Sequence, residues 1–172
     1  DISAECSAIP DAPTNVTATD NCDSNVEVEM VETTTPGACP EEYALIRTWT
    51  ATDNCGNEAT ASQTIFVYDI TSPVLVDVPA DANADCDNIP TVGTPTATDN
   101  CDTDVEITFE EDIQDDGCDA TITRTWTATD NCGNEDIQTQ IISVTDNDNP
   151  VLAGIPSDIS AECDAIPAAD TN

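Results

Sequence analysis

The chain has 172 residues, 36 of them acidic and 2 basic, with no histidine and a formal net charge of −34. Such a charge repels a nucleic-acid backbone or an anionic membrane surface, and no apolar run is long enough to insert into a bilayer. With 38% apolar and 3% aromatic residues, a fold needs cross-links or bound cations to offset its conformational entropy, and nine cysteines and many carboxylates are available.

Internal repetition organises the chain. DISAECSAIP at 1–10 returns as DANADCDNIP at 81–90 and DISAECDAIP at 158–167. RTWTATDNCGNE at 47–58 returns verbatim at 124–135, and TATDNC occurs four times, at 17–22, 50–55, 96–101 and 127–132. The expected units are 1–70, 71–147 and the opening of a third at 148–172. The pattern starts and stops mid-unit, which reads as a fragment of a longer secreted chain. The boundaries fall at Asp69-Ile70-Thr71-Ser72-Pro73 and Asp146-Asn147-Asp148-Asn149-Pro150, where proline makes a short, stiff linker.

Within each unit the period is two. A first strand ends near Cys6, and a second is expected over Thr14–Thr19. Val26, Val28 and Met30 alternate with Glu27 and Glu29 in the next, as Val105, Ile107 and Phe109 do in the second unit. Tyr43–Thr52 follows, with Leu45, Trp49 and Ala51 on one face, and Ala59–Tyr68 closes the unit. Ile122, Trp126, Ala128, Ile142 and Val144 repeat this pattern. Glu110–Asp119 is expected as an acidic, solvated loop. Gly56 and Gly133 follow the second TATDNC of each unit and predict tight hairpins with positive φ. No helical period appears. The expected fold is all-β: tandem immunoglobulin-like β-sandwiches, stapled by disulfides and joined by short proline-containing linkers.

Strand direction selects a cysteine pairing. Alternating strands put Cys6 and Cys39 at the upper end of the first unit and Cys22 and Cys55 at its lower end. A bond between Cys39 and Cys55 would have to span a strand of ~10 residues, ~33 Å, whereas a disulfide needs Cα atoms within ~7 Å. The expected pairs are Cys6–Cys39 and Cys22–Cys55, then Cys86–Cys118 and Cys101–Cys132, with Cys163 joined to a residue beyond the fragment. Regular cysteines of this kind imply an oxidising, extracellular compartment. The competing metal-thiolate reading lacks a CxxC pair and any histidine.

The carboxylates carry a second expectation. Asp20 and Asp53 face each other if Cys22 bonds Cys55, with Asp23 and Glu58 nearby. Two carboxylates ~5 Å apart repel by roughly 3 kcal/mol at an effective dielectric of ~20, which a cation between them would offset. The preceding linker arrives at the same end, so Asp69 is expected beside Asp99, Asp102 and Asp130, and Asp146 and Asp148 against the third unit. Hard oxygen donors point to calcium. The competing reading is that these Asp-Asn pairs only form turns and bond their own backbone.

Arg47 and Arg124 occupy equivalent places, two residues before each Trp, and are expected to pair with a cross-strand Glu. Asn15-Val16-Thr17 is a glycosylation sequon. No His or Lys is present to build a catalytic constellation, so no enzyme is expected.

The stretch TWTATDNCGNEATASQTIFVYDITSPVL at 48–75 resembles the hyalin-repeat family, whose repeats end in a T-x-T-A-T-D-x-x-G-N hairpin, a last strand and a D-x-T-x-P linker. The four-cysteine form looks like the tandem repeats of giant bacterial surface adhesins, including those of gliding bacteria. That resemblance implies an immunoglobulin-like fold and a role in adhesion. Asp146–Pro150 also resembles the cadherin calcium linker D-x-N-D-N-x-P, but lacks the residue between Asn149 and Pro150. The leading expectation is a stalk or fibre segment of a long cell-surface adhesin, with neighbouring repeats as its partners. The alternatives are repeats that each bind a glycan or protein, or units that assemble laterally with other copies into a filament.

Overall fold

The computed structural model describes residues 1–115, 117, 119–155, 157, 158, 160 and 162. The first repeat holds β1 (Ile2–Glu5), β2 (Glu27–Pro36), β3 (Tyr43–Thr52) and β4 (Glu58–Tyr68). They form one sheet in the order β1-β4-β3-β2, with β1 parallel to β4 and the other pairs antiparallel. The second repeat holds β5 (Val74–Val76), β6 (Ala82–Asp85), β7 (Thr96–Thr98), β8 (Glu106–Asp115), β9 (Asp119–Thr129) and β10 (Glu135–Thr145). Its main sheet runs β6-β10-β9-β8, and β5 pairs with β7 in a second, two-stranded sheet. Apart from a short 3-10 turn over Cys6–Ala8, the described residues form only strands and loops. The fold is all-β, with immunoglobulin-like sandwich repeats, as the period-two pattern predicts.

The hairpin expectation holds. β3 and β4 pair in register from Tyr43↔Val67 to Thr52↔Glu58. The intervening turn is closed by Asp53 N–H to the Asn57 carbonyl and Gly56 N–H to the Asp53 carbonyl. Gly56 and Gly133 take φ of 85° and 89°, a region that L side chains avoid.

Two strand expectations are corrected. Most of the expected loop Glu110–Asp119 is strand: β8 runs on to Asp115 and pairs with β9 through Glu111↔Arg124 and Ile113↔Ile122, and Asp119 already opens β9. Its charges sit on exposed strand positions. Thr14–Thr19 is not a strand, although its counterpart Thr96–Thr98 is β7. The reason lies in pairing. β7 gets its partner from β5, with Leu75 opposite Ala97, and the position corresponding to β5 for the first repeat falls ahead of residue 1.

The same difference shapes the cores. In the second repeat Leu75, Trp126 and Ala128 form one buried cluster with Ala97, Val105 and Ile107 around it, and Trp126 is 2% exposed. Phe109 packs on Trp126 with the rings tilted 43° and their centroids 5.3 Å apart. A second cluster joins Ile122, Ile142 and Val144. Arg124 lies between the two on the same strand face and is itself buried. Its Nε donates to Glu111 at 2.7 Å, and Nη1 reaches the Thr91 carbonyl at 3.3 Å. Arg47 repeats this with Glu32 at 2.8 Å and the Pro10 carbonyl at 2.7 Å. In the first repeat only the upper cluster, Leu45, Ile65 and Val67, is fully buried. Trp49 is half-buried in an open cleft with Val16, Ala18, Val28 and Ala61.

Candidate functional site at the repeat junction

The strand directions put Cys6, at the end of β1, and Cys39, in the β2–β3 loop, at the upper end of the first repeat. Cys101 and Cys132 lie at the lower end of the second, in the loops after β7 and β9. The end assignments made from the sequence are therefore correct, but the pairing is not. Cys6 bonds Cys101 with Cα atoms 6.0 Å apart, and Cys39 bonds Cys132 at 5.1 Å. Neither Cys6–Cys39 nor Cys101–Cys132 forms, because the linker delivers the upper end of one repeat onto the lower end of the next. Each cysteine then meets a partner across the junction before its neighbour in the same repeat. Cys22 and Cys55 are free and exposed, so the expected Cys22–Cys55 bond is also absent, and Cys86 is free and exposed as well. Cys118 and Cys163 lie outside the described residues.

Polar contacts cross the same junction. Asn100 Nδ2 donates to Ser7 Oγ at 3.2 Å and to Glu5 Oε1 at 3.3 Å. Glu5 Oε1 also accepts from Thr71 Oγ1 at 2.9 Å, and Asn134 Nδ2 donates to the Asp69 carbonyl at 3.2 Å. Asn100 of TATDNC, and Asn134 two residues after the last TATDNC, thus tie the preceding repeat and the linker to the lower end of the following repeat. Glu5, Asn100 and Asn134 were not singled out from the sequence. A signal existed for Glu5: an acidic residue precedes the corresponding cysteine in each copy, at Glu5, Asp85 and Glu162.

Among the carboxylates expected to hold a cation, the structure separates two kinds. Asp102 and Asp130 are buried and spend their oxygens on local donors. Asp102 accepts from Asp104 N and Asn131 N, and Asp130 from Cys132 N, Asn134 N and Asn134 Nδ2. For these the turn-forming reading accounts for the hydrogen bonds seen. Asp69 and Asp99 differ. They offer ligand atoms within 4.8 Å of each other, alongside the Cys101 sulfur, which the disulfide removes as a donor. Asp99 Oδ1 accepts from Cys101 N and Asp102 N, while Asp99 Oδ2 and Asp69 Oδ2 are buried without a hydrogen-bond partner. Burial pushes the Asp69 carboxyl above its ordinary range, and the charges of Asp99, Asp130 and Glu5 push it the same way. Two neighbouring carboxylates, each with a buried oxygen left without a partner, form a donor set that suits a hard dication.

At the lower end of the first repeat, Asp20 and Asp53 keep the same turn geometry. Asp20 Oδ1 accepts from Cys22 N and Asp23 N, which holds its carboxyl below the ordinary range. Asp53 accepts from the Asn57 side chain and backbone and from Cys55 N, with the same result. At the upper end of the second repeat, Asp146 gathers with Asp85 and Cys86, and Asp148 with Asp85 and Asp87, each set within 4.8 Å.

The family described as HYR-like domain with 4 cysteines matches residues 2–67 and again residues 74–144. No curated protein matches the chain. The disulfides and the repeats fit an extracellular, adhesion-type repeat region, and no helix among the described residues is long and apolar enough to cross a membrane.

Proposed function

The chain belongs to the family of HYR-like domains with 4 cysteines, and from that premise we propose that it is a stalk segment of a long surface adhesin. Its repeats act as rigid links, and calcium fills each junction. The observation that carries this reading is the pair of bridges, Cys6–Cys101 and Cys39–Cys132, both of which cross from one repeat to the next. A single bridge leaves a swivel. Two bridges on different loops, with a short proline-containing linker as a third connection, oppose bending in every direction.

The cation reading rests on Asp69 Oδ2 and Asp99 Oδ2, buried and unpartnered at the same junction. Calcium takes six to eight oxygens at about 2.3–2.6 Å, so the two carboxylates would be completed by water or nearby carbonyl oxygens. Its charge would neutralise a cluster that otherwise repels itself. Small-angle scattering of the whole chain tests the stalk. An extended, single-conformation pair of repeats with calcium and intact disulfides is expected, and a broad angular distribution under those conditions would rule the stalk out.

A further inference from the structure

We propose that the two bridges across the junction form a length switch with two keys: either bridge alone keeps residues 40–100 closed against tension, and a thiol reductant frees them only after opening both. This deepens the stalk reading, on which it rests for the load but not for the loop lengths.

The counting follows from where the bridges attach. A disulfide is a covalent short cut, so tension entering ahead of Cys6 and leaving after Cys132 cannot draw out the chain that the short cut spans. The 172 residues are joined by 171 links; Cys6–Cys101 takes out the 95 it spans and leaves 76. Cys39–Cys132 alone takes out 93 and leaves 78. With both closed the shorter path holds, at 76. The two loops overlap because each bridge joins the upper end of one repeat to the lower end of the next. The first bridge to open therefore adds two links or none, and the second adds 93 or 95. Pairing within each repeat would give two loops side by side, and each bond would release its own short segment.

The overlap of the loops holds the parts that make the junction. Residues 40–100 contain β3, β4, β5, β6 and β7, the linker, and both Asp69 and Asp99. Opening a bridge is thiol–disulfide exchange: a thiolate displaces one sulfur, and a second reductant thiol resolves the mixed disulfide. Two electrons and two protons reach the protein, and the reductant leaves as its own disulfide. A carboxylate flanks each bridge. Glu5 Oε1 lies 3.8 Å from the Cys101 sulfur, and Glu41 Oε2 lies 3.8 Å from the Cys132 sulfur. Both repel an approaching thiolate and slow the opening.

The test stretches the full chain between handles at its two ends in an optical trap. Cys22, Cys55, Cys86, Cys118 and Cys163 are replaced by Ser, so only the junction cysteines remain. At about 3.6 Å per link, the oxidised form should extend to about 27 nm. Adding Cys6→Ser and Cys101→Ser should leave about 28 nm, and adding Cys39→Ser and Cys132→Ser instead about 27 nm. All four together should give about 62 nm. Glutathione added to the oxidised form under tension should produce one step of about 34 nm. Pairing within repeats predicts about 39 nm for the oxidised form, about 62 nm for either double substitution and two steps of about 12 nm, and any of these would overturn the switch. The stalk reading fails separately: about 27 nm in the trap beside a broad angular distribution in scattering would remove the stalk and leave the switch.

Discussion

Cys6 and Cys101 are bonded across the boundary between two repeats, although 95 residues separate them in sequence. A bridge this long removes more freedom from the unfolded chain than one within a repeat, about 4–5 kcal/mol in the chain-entropy model against roughly 3–4 for a loop of about 30 residues. Cys39–Cys132, spanning 93 residues, closes a ring the first bridge has already shortened, so it adds less. Non-reducing peptide mapping should recover both cross-junction pairs. Recovery of Cys6 linked to Cys39 would contradict the junction.

Asp69 and Asp99 make calcium dependence measurable. Calcium at 100 times its dissociation constant should stabilise the wild-type chain by about 2.7 kcal/mol. Asp69→Asn removes one charged ligand and is expected to abolish most of that gain. Without calcium the same substitution relieves like-charge repulsion and should raise stability by about 1 kcal/mol. Thermal melts of both proteins, with calcium and with chelator, give the four numbers needed. An unchanged calcium response in Asp69→Asn would exclude this site.

The pH dependence follows from the sign of the shifts. Asp69 has a folded pKa raised above its ordinary 3.8, so the folded chain holds more protons than the unfolded one between that value and the raised one. Stability therefore falls as pH rises through this window, and the whole cost is present above it. Asp20 and Asp53 are shifted downward from 3.8. Their contribution is present above that value and lost as pH drops below it. In chelator the melting temperature should rise as pH falls through the Asp69 window above 3.8 and drop again as Asp20 and Asp53 are protonated below 3.8. Asp69→Asn should lack the rise, and identical profiles for the two proteins would count against the shift at Asp69.

Leu75 covers Trp126. Leu75→Ala removes that cover and leaves a cavity, at a cost of about 2–4 kcal/mol to the second repeat. The first repeat has no such contact and should be unaffected. Tryptophan fluorescence during denaturation, read on Trp49→Phe and Trp126→Phe backgrounds, assigns the loss to one repeat. Equal losses in both would show that the repeats unfold as one unit.

Arg124 is 4% exposed and holds both Glu111 and the Thr91 carbonyl. Arg124→Ala strands those acceptors and should cost about 2–3 kcal/mol, since Glu111 is partly hydrated and recovers some solvation. Arg124→Lys keeps the charge but loses the fork, and should fall between. Urea midpoints at constant slope would rank the three proteins. A lysine variant as stable as wild type would mean that the charge alone matters.

The sequence alone carried the repeats, the all-β class, the hairpin glycines, the arginine pairing with a cross-strand glutamate and the end of the repeat on which Cys6, Cys22, Cys39 and Cys55 lie. All of these follow from local rules: period-two alternation, turn chemistry and strand direction act over a few residues. Asp69 beside Asp99 was also legible, because a short linker leaves little choice of where it lands. What the tertiary structure decided were the partners across the junction. Whether Cys6 bonds Cys39 or Cys101 depends on how one repeat sits on the next, and no local pattern encodes that rotation. The same holds for Thr96–Thr98: a strand needs a neighbour to satisfy its backbone, and β7 finds it in β5, a partner set by how the linker packs on the repeat.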